Sequence, residues 1–416
     1  MGLRFLHLAD LHLDTAFGGR QEAARQRLRE GTRQAFEAAV DFALEQGLDA
    51  LLVAGDGFDE PRLEFATELW LSAQVERLAR GGVHLVWIAG NHDPGAASGK
   101  LARMGLGRST AWGERVHVVG AGKPVCIDIH GPKGKLRGRI VAAGHTSSKV
   151  TENLAARFRP QTVDVPVVGL LHTQVHAARS STEHAAYAPS SAEDLAAPGY
   201  DYWALGHVHL RQRPFAEIPA WYAGNLCGRN PKETGPKGGL LVELEPGVPA
   251  APEFISFAPV RWEQLEVRGL GAVDSAGALL EHLLQAIHQA QENAPETELL
   301  VRLIPSGPCP MAACLRSHEE RAAIEEELRL QSGLLEVQLR PHRLHVARDL
   351  SELRSSPSAL GNALDLIEGL AEDPQLLAEL APDLAFPDGS PAQLLEGLGE
   401  ELLQRVLPEP DAGASE

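Results

Sequence analysis

The sequence predicts an α/β protein in which two β-sheets pack face to face, with helices on the outer faces. Up to about residue 92, apolar runs alternate with segments of helical periodicity, which indicates βαβ units and a largely parallel sheet. From Val116 to Pro246 the pattern changes to short apolar runs separated by turns, which favours a second, more antiparallel sheet. Together these patterns predict a sandwich of sheets.

The first part of the chain gives the clearer pattern. Residues 3–9 form an apolar run, and residues 21–46 carry apolar side chains at helical spacing up to Gly47. A buried strand then leads to Asp56, a helix follows over residues 64–80, and a third strand covers residues 83–89. Because the strands should be parallel, the loops that follow them should gather at one edge of the sheet.

The second part consists of shorter runs. VHVVG, PVCIDIH and RIVAAGH read as strands, and two further runs end in histidines, at residues 166–176 and 201–209. RQRPFAEI and AWYAG, which follow, have the pattern of a hairpin. Residues 238–246 should form the last strand of this sandwich.

The length of 416 residues exceeds what one hydrophobic core usually serves, so several domains are expected. The proline-rich segment 246–254 suggests a linker after a first domain of residues 1–245. Strands alternating with helices near 275–293 and 317–332 predict a small α+β domain over residues 246–345. Residues 346–416 carry leucines in short helical patches and should form an acidic helical tail that ends in a disordered PEPDAGASE.

Composition narrows the possible functions. The net charge of −18 argues against a chain coated with nucleic-acid-binding charge. Residues 100–160, however, hold 12 Lys and Arg against 3 Asp and Glu, so this region could face phosphates or simply be solvated. Four scattered cysteines do not form a disulfide framework, and no apolar run approaches the roughly 18–20 residues of a membrane span. We therefore expect a cytoplasmic protein with no membrane partner.

Potential metal ligands follow five apolar runs directly. The five groups are Asp10/His12, Asp56/Asp59, Asn91/His92, His172 and His207/His209. One or two such groups could arise by chance, but five in succession predict a shared site. The D-x-H and H-x-H spacings place both side chains of a pair on one face of an extended segment.

The mixture of donors indicates the chemistry. Carboxylates, an amide oxygen and imidazoles without thiolates favour manganese, iron or zinc over copper or iron–sulfur. Two divalent ions about 3.5–4 Å apart would share a carboxylate, hold a phosphate and lower the pKa of a water molecule. The sequence therefore predicts a two-metal site for phosphate esters.

These motifs carry a family resemblance. Asp10-x-His12, Gly55-Asp56-x-x-Asp59, Gly90-Asn91-His92-Asp93, His172 and Gly206-His207-x-His209 resemble the motif set of calcineurin-like metallophosphoesterases. The forms D-L-H-L and G-D-x-F-D, and the segment YAGNLCGRNPKETGPKG, are similar to bacterial SbcD-type and YhaO-like DNA repair exonucleases. The resemblance covers residues 1–245. It implies the αββα sandwich of the metallophosphoesterase type, a smaller α+β capping domain and the helical tail.

The resemblance also implies a role for each residue. Asp56 would bridge two divalent metal ions. Mn²⁺ is the ion expected for both sites. Asp10, His12 and His209 would complete one metal site, and Asn91, His172 and His207 the other. His92 would protonate the leaving oxygen, with Asp59 orienting it. Arg229 and Lys232, in the segment after the last histidine motif, could contact a phosphate backbone or be solvated.

The leading functional prediction is a DNA exonuclease that acts in repair. The resemblance implies an SMC-like coiled-coil ATPase as a partner, docked by the C-terminal tail, and a homodimer. The chain contains no Walker A motif, so such an ATPase would be a separate chain. Two alternatives stay open: a phosphoesterase for small or cyclic nucleotides, and a scaffold with a decayed site. From the motifs alone, Asp56→Asn should cost metal and activity together, whereas Asp59→Asn should mainly slow the chemistry.

Overall fold

The computed structural model describes residues 2–59, 64–95, 113–175, 187–346 and 358–373, together with residues 398 and 402. The strands are β1 (Leu3–Leu8), β2 (Ala50–Ala54), β3 (His84–Ile88), β4 (Val116–Val119), β5 (Val125–His130), β6 (Leu136–Ala143), β7 (Val167–His172), β8 (Tyr202–Gly206), β9 (Ala220–Tyr222), β10 (Gly238–Leu244), β11 (Glu253–Ser256), β12 (Val260–Val267), β13 (Glu298–Pro308), β14 (Val337–Leu339) and β15 (Arg343–His345). The helices are α1 (Glu22–Glu45), α2 (Phe65–Gly81), α3 (Ala192–Ala196), α4 (Ala276–Glu292), α5 (His318–Ser332) and α6 (Ala359–Glu372).

Contacts divide the chain into two compact units. The first contains Met1–Glu263 and Gln291–Leu300, and the second contains Gln264–Ala290 and Val301–Glu416. The three domains with boundaries at residues 245 and 345 stay a prediction.

The first sheet has the order β11-β10-β1-β2-β3-β4. Strands β1 to β4 are parallel to one another, as the βαβ pattern predicts, and β10 runs antiparallel to β1. Every residue of β2 and β3 is buried, which is typical of parallel strands covered on both faces. The carboxyl ends of β1, β2 and β3 therefore lie side by side.

The second sheet has the order β5-β6-β7-β8-β9. The expectation of a more antiparallel sheet is wrong, because β6 to β9 are parallel and only β5 and β6 are antiparallel. The predicted hairpin is reduced to one antiparallel bridge, between Gln212 and Tyr222, which exchange two backbone hydrogen bonds, while β9 itself pairs in parallel with β8. Fully buried runs such as β7 fit a parallel sheet covered on both faces.

Three hydrophobic layers confirm the αββα sandwich. One layer packs α1 and α2 against the outer face of the first sheet, with Phe36 and Trp87 among its members. A second layer lies between the sheets and includes Phe5 and Tyr202. A third covers the other face of the second sheet around Trp203. Both sheets thus have one face against each other and one face covered from outside.

The predicted helices are confirmed within one residue or two. Helix α1 buries a stripe that includes Leu28, Phe36 and Val40 against the first sheet. Helix α2 ends at Gly82, whose φ of +85° provides the left-handed cap that glycine adopts most readily.

A small third sheet has the order β12-β13-β14, and β15 pairs with β13; the division between the two units passes through β12 and β13. Helix α5 and all but the last two residues of α4 lie in the second unit, and these two helices match the helices predicted for the α+β region. Helix α6 lies in the predicted helical tail, and the rest of that tail, apart from residues 346, 358, 373, 398 and 402, lies outside the described residues. Within the described part of the chain, none of the helices has the length and apolarity that crossing a membrane requires.

Candidate metal centre

The carboxyl ends of the strands in both sheets meet at one place. Loops after β1, β2, β3 and β8 and the end of β7 bring together all the predicted ligands and the predicted acid, which are Asp10, His12, Asp56, Asn91, His92, His172, His207 and His209. Three groups of three have ligand atoms within 4.8 Å of one another: Asp10/His12/His209, His12/Asp56/His92 and Asp56/His172/His207. The ligands of the two metal sites that the family resemblance implies thus form one continuous cluster.

The backbone at the cluster is unusual. Asp10, His12, Asp56 and His207 have φ angles of 50°, 47°, 50° and 100°, in a region that residues other than glycine rarely adopt. Backbone hydrogen bonds from Asp10 N–H to Gly55 O and from His12 N–H to Asp56 O, at 3.1 and 3.0 Å, hold the first two loops together. Such strained backbone occurs mostly at functional sites, where the surrounding structure enforces it.

Two glycines permit the close approach of these loops. Gly55 has a φ of +88°, and a Cβ atom there would lie 2.5 Å from Nδ1 of His172. At Gly90 a Cβ atom would lie 2.1 Å from a carboxylate oxygen of Asp56. A side chain at either position would displace a ligand.

The first group consists of Asp10, His12 and His209. The Nε2 atoms of the two histidines face each other at 3.1 Å. Their Nδ1 atoms are engaged elsewhere, that of His12 with Asp59 at 2.9 Å and that of His209 with Glu233 at 2.9 Å. These bonds fix the tautomer that directs a lone pair from each Nε2 into the cluster.

The second group consists of Asp56, Asn91, His172 and His207. His172 donates Nδ1–H to the backbone carbonyl of Ala54 at 2.8 Å, which leaves Nε2 pointing into the cluster. That Nε2 lies 3.0 Å from Oδ1 of Asn91 and 3.3 Å from Oδ2 of Asp56, and His207 Nδ1 lies 3.1 Å from the same Asn91 oxygen.

Asp56 lies between the two groups. Its carboxylate belongs to one group of ligand atoms with His172 and His207, and to another with His12 and His92. Burial favours protonation of its carboxyl, but the imidazoles of His172 and His12 outweigh that effect and hold its pKa well below the usual range. An ionised carboxylate in this position suits a cation on either side.

The donor set fits divalent metal ions. Imidazole Nε2 atoms, carboxylate oxygens and an amide oxygen converge, and the hydrogen bonds of His12, His172 and His209 leave the ligating nitrogen of each ring directed inward. Cysteines belong to none of the described ligand groups. This chemistry matches ions that bind nitrogen and oxygen together.

His92 lies at the open side of the cluster with 39% of its side chain exposed. Its Nδ1 is 2.8 Å from Oδ1 of Asp59, and this hydrogen bond raises the pKa of His92. Asp59 also bonds His12 Nδ1, accepts from Thr15 Oγ1 at 2.8 Å and pairs with Arg229. Asp59 therefore contacts the predicted acid and a predicted metal ligand with the same oxygen.

The two predicted phosphate-binding cations have different positions. Arg229 lines a cavity of about 500 Å³ beside the cluster, where its guanidinium contacts Asp59 and lies 3.3 Å from His12 Nε2. Lys232 is exposed on the same loop, and its backbone N–H donates to the side chain of Asn230.

Sequence reasoning missed Glu233. This side chain is 5% exposed, and its two oxygens accept hydrogen bonds from His209 Nδ1, Asn230 and Asn225 and from the backbone N–H of Arg229, at 2.7 to 2.9 Å. Although burial alone would raise its pKa, the contact with His209 lowers it to about 2. The sequence offered one indication of its role: Glu233 is an acidic residue in the segment YAGNLCGRNPKETGPKG, which resembles the family.

The other histidines occupy supporting positions. His7 is buried, with Nδ1 3.1 Å from the hydroxyl of Tyr202. His145 is also buried, and its Nε2 is 2.8 Å from the backbone oxygen of His172. His176 and His184 lie outside the described residues.

Comparisons with known proteins agree with this arrangement. The Calcineurin-like phosphoesterase family matches residues 3–211. The uncharacterized metallophosphoesterase YhaO of Bacillus subtilis is 36% identical over 270 residues, which cover 64% of this chain and 63% of that protein. The DNA double-strand break repair protein Mre11 of Methanopyrus kandleri is 28% identical over 305 residues, 68% of this chain and 62% of that protein.

A shorter similarity involves the SbcD subunit of the nuclease SbcCD of Escherichia coli K12, 36% identical over 95 residues, 22% of this chain and 21% of that protein. The chain spans a little over three fifths of the length of YhaO and of the Methanopyrus protein. The family match covers about half of the chain and extends from β1 to just beyond His209, so it contains all the predicted metal ligands. The chain therefore belongs to the calcineurin-like phosphoesterases, a family of metal-dependent hydrolases.

Proposed function

We propose that this protein is a phosphodiesterase that uses two divalent metal ions, most suitably Mn²⁺, to cleave DNA. The observation that carries the proposal is the position of Asp56, which has ligand groups on both sides and lies beside His92 at the open side of the cluster. A shared carboxylate between two imidazole-containing groups is what a two-metal phosphoesterase needs.

Each group of side chains has a separate task in the proposed reaction. Asp10, His12 and His209 would hold one ion, Asn91, His172 and His207 would hold the other, and Asp56 would serve both. When bound, the ions supply an activated water and neutralise charge on the phosphate. Hydrolysis joins the oxygen of water to phosphorus and breaks the bond to the leaving oxygen.

His92 provides the proton for that leaving oxygen. Asp59 raises the pKa of His92 through their hydrogen bond, so the imidazole is more fully protonated near neutral pH than a free histidine. Arg229, in the adjoining cavity, is placed to exchange its contact with Asp59 for a substrate phosphate.

Support for DNA comes from the relatives and from charge. Mre11 is named as a DNA double-strand break repair protein, and SbcCD is named as a nuclease. The basic region of residues 100–160 also favours a polyanion. We include in this proposal a repair role, exonuclease activity, a separate SMC-like ATPase partner, a homodimer and a cytoplasmic location.

The second candidate is a phosphoesterase for small or cyclic nucleotides. The net charge of −18 favours it, since an acidic protein repels a long polyanion. The same metal ligands and the same acid would serve this reaction. The two candidates differ in the effect of salt, because DNA binding weakens steeply with salt as counterions are released.

The test is hydrolysis of single- and double-stranded DNA, bis-p-nitrophenyl phosphate and cyclic nucleotides with Mn²⁺, Mg²⁺ or a chelator. We expect metal-dependent DNA cleavage that falls steeply with salt. In His92→Ala, activity should drop by about 10²–10⁴-fold, the range for one general acid, with metal still bound. Hydrolysis of small esters but never of DNA, even with a candidate ATPase added, would leave only the second candidate.

A further inference from the structure

The cavity beside the metal groups has two walls of different character. One wall carries Asp59, His92 and His209, which belong to the cluster. The other wall is formed by the loop between β1 and α1, including Phe17 and Arg20. Nothing in the proposed cleavage of a single phosphate ester assigns a task to this second wall.

Arg20 is held in place by aromatic rings. Its guanidinium carbon lies 5.9 Å from the ring centroid of Phe17 and 5.2 Å from that of Trp262. One guanidinium nitrogen lies 3.4 Å from the backbone oxygen of Arg229. Cation–π contacts to two rings restrict the side chain before any ligand arrives, and a restrained arginine loses less conformational entropy on binding.

Phe17 anchors the wall that carries Arg20. Phe17 is 5% exposed, packs with Leu28, Val260, Trp262 and Leu300, and has a φ of +47°, which is strained for a bulky side chain. Strain of this kind persists only where the surroundings enforce it, and it is common where ligands are clamped. Because Phe17 is packed in this way, the loop positions the Arg20 guanidinium at the cavity.

We propose that Arg20 binds a second phosphate of the substrate strand, next to the phosphate that is cleaved. The Arg20 side chain contacts the backbone oxygen of Arg229, and both residues line the same cavity, so two cations border the space through which a ligand must reach His92. A nucleic-acid strand presents neighbouring phosphates, whereas a simple ester or a cyclic nucleotide presents one. Arg20 would thus select oligonucleotides over small esters. This inference rests on the proposed nuclease function.

The test compares substrates with one phosphate and with several. The full chain loaded with Mn²⁺ is assayed with bis-p-nitrophenyl phosphate and with a short single-stranded oligonucleotide, and the ratio of the two kcat/KM values is measured. In Arg20→Ala the ratio of oligonucleotide to small ester should fall about tenfold, the size of one lost charge-assisted hydrogen bond. Arg20→Lys, which retains the charge, should recover part of the ratio, and the loss should shrink at high salt.

The matched control is Arg25→Ala, an arginine on α1 whose side chain pairs with Glu22 on the same helix. It should leave the ratio at the wild-type value. Circular dichroism and thermal unfolding of each variant show whether the loop still packs.

Three results would overturn the inference. If wild type cleaves the oligonucleotide and Arg20→Ala keeps the ratio, the second-phosphate role fails while the nuclease proposal stands. If Arg20→Ala and Arg20→Lys lose both activities equally and unfold at lower temperature, Arg20 only braces the loop of Arg229. If wild type cleaves no oligonucleotide even with a candidate ATPase added, both proposals fail together.

Discussion

The two ligand groups hold their imidazoles in different ways. In the first group, His12 and His209 donate to side-chain carboxylates, Asp59 and Glu233. In the second group, His172 donates to the backbone carbonyl of Ala54 at the end of β2. The first group can therefore be loosened by changing one outer carboxylate, whereas the His172 ring of the second group would be loosened by moving the backbone or by crowding the ring.

Asp56→Asn should have the largest effect, because Asp56 contributes to both groups and its charge balances both. We expect loss of both metal ions and an activity loss greater than the roughly 10–100-fold cost of an outer-shell change. Metal content by mass spectrometry and hydrolysis of a small ester would measure this. Retention of two tightly bound ions in the variant would contradict the bridging role.

Gly55→Ala should damage the second group next. The new Cβ would lie 2.5 Å from His172 Nδ1, and the φ of +88° disfavours any side chain. We expect the free energy of unfolding to fall by about 2–4 kcal/mol, the sum of backbone strain and the displaced ring. Urea unfolding of the metal-free protein would measure it.

Gly82→Ala is the matched control for that change. Gly82 has nearly the same φ, +85°, but a Cβ there would meet nothing within 4 Å. It should cost only the backbone strain of about 1–2 kcal/mol. Equal losses in the two variants would show that His172 does not depend on the absence of a side chain at residue 55.

Asp59→Asn should affect the first group and the chemistry together. From the motifs alone this change should mainly slow catalysis, but the structure adds His12 to the partners of Asp59. We expect activity to fall by about 10²–10³-fold and the affinity for one metal ion to weaken by up to about tenfold. Isothermal titration with Mn²⁺ and ester hydrolysis separate the two effects.

His92→Ala is the reference for Asp59→Asn, because it removes the predicted acid while leaving the bond between His12 and Asp59 in place. If metal affinity weakens in Asp59→Asn but not in His92→Ala, the effect of Asp59 on the metal site acts through His12. If both variants bind two ions as tightly as wild type, Asp59 acts on His92 alone.

The same contrast explains what the sequence could predict. The ligands follow buried strands directly, and parallel strands bring their carboxyl ends together, so Asp10, Asp56, Asn91, His172 and His207 were accessible from pattern alone. The αββα layers and the helix bounds followed from apolar periodicity. Strand direction in the second sheet did not, because a short apolar run has the same pattern in either direction.

The outer carboxylates were harder to predict. Glu233 reaches His209 through a loop whose course depends on four hydrogen bonds formed only in the folded chain. Asp59 was found from its motif, but its contact with His12 requires the loops after β1 and β2 to run side by side. The metal ligands can thus be recognised from the sequence around them. The carboxylates that orient these ligands depend on contacts between distant parts of the chain.

Glu233→Gln should have the smallest effect of the series and should be confined to the first group. The carboxylate accepts four hydrogen bonds from His209, Arg229, Asn225 and Asn230, whereas a glutamine amide can accept only at its oxygen. The amide nitrogen would face a donor, which should turn the His209 ring or release the loop of Arg229. We expect metal affinity at one site to weaken by about tenfold, the lower end of the range for an outer partner, while the other ion stays bound.

Titration with Mn²⁺ would resolve the two sites, and kcat and KM for a small ester would show whether Arg229 has also moved. Glu298→Gln is the matched control, since Glu298 lies in the same unit, pairs with Arg27 through its carboxylate and donates its backbone N–H to the carbonyl of Pro259. It should retain two ions and wild-type KM. If Glu233→Gln binds both ions as tightly as this control, then His209 is oriented by its own strand end, and the first group is as independent of outer carboxylates as the second.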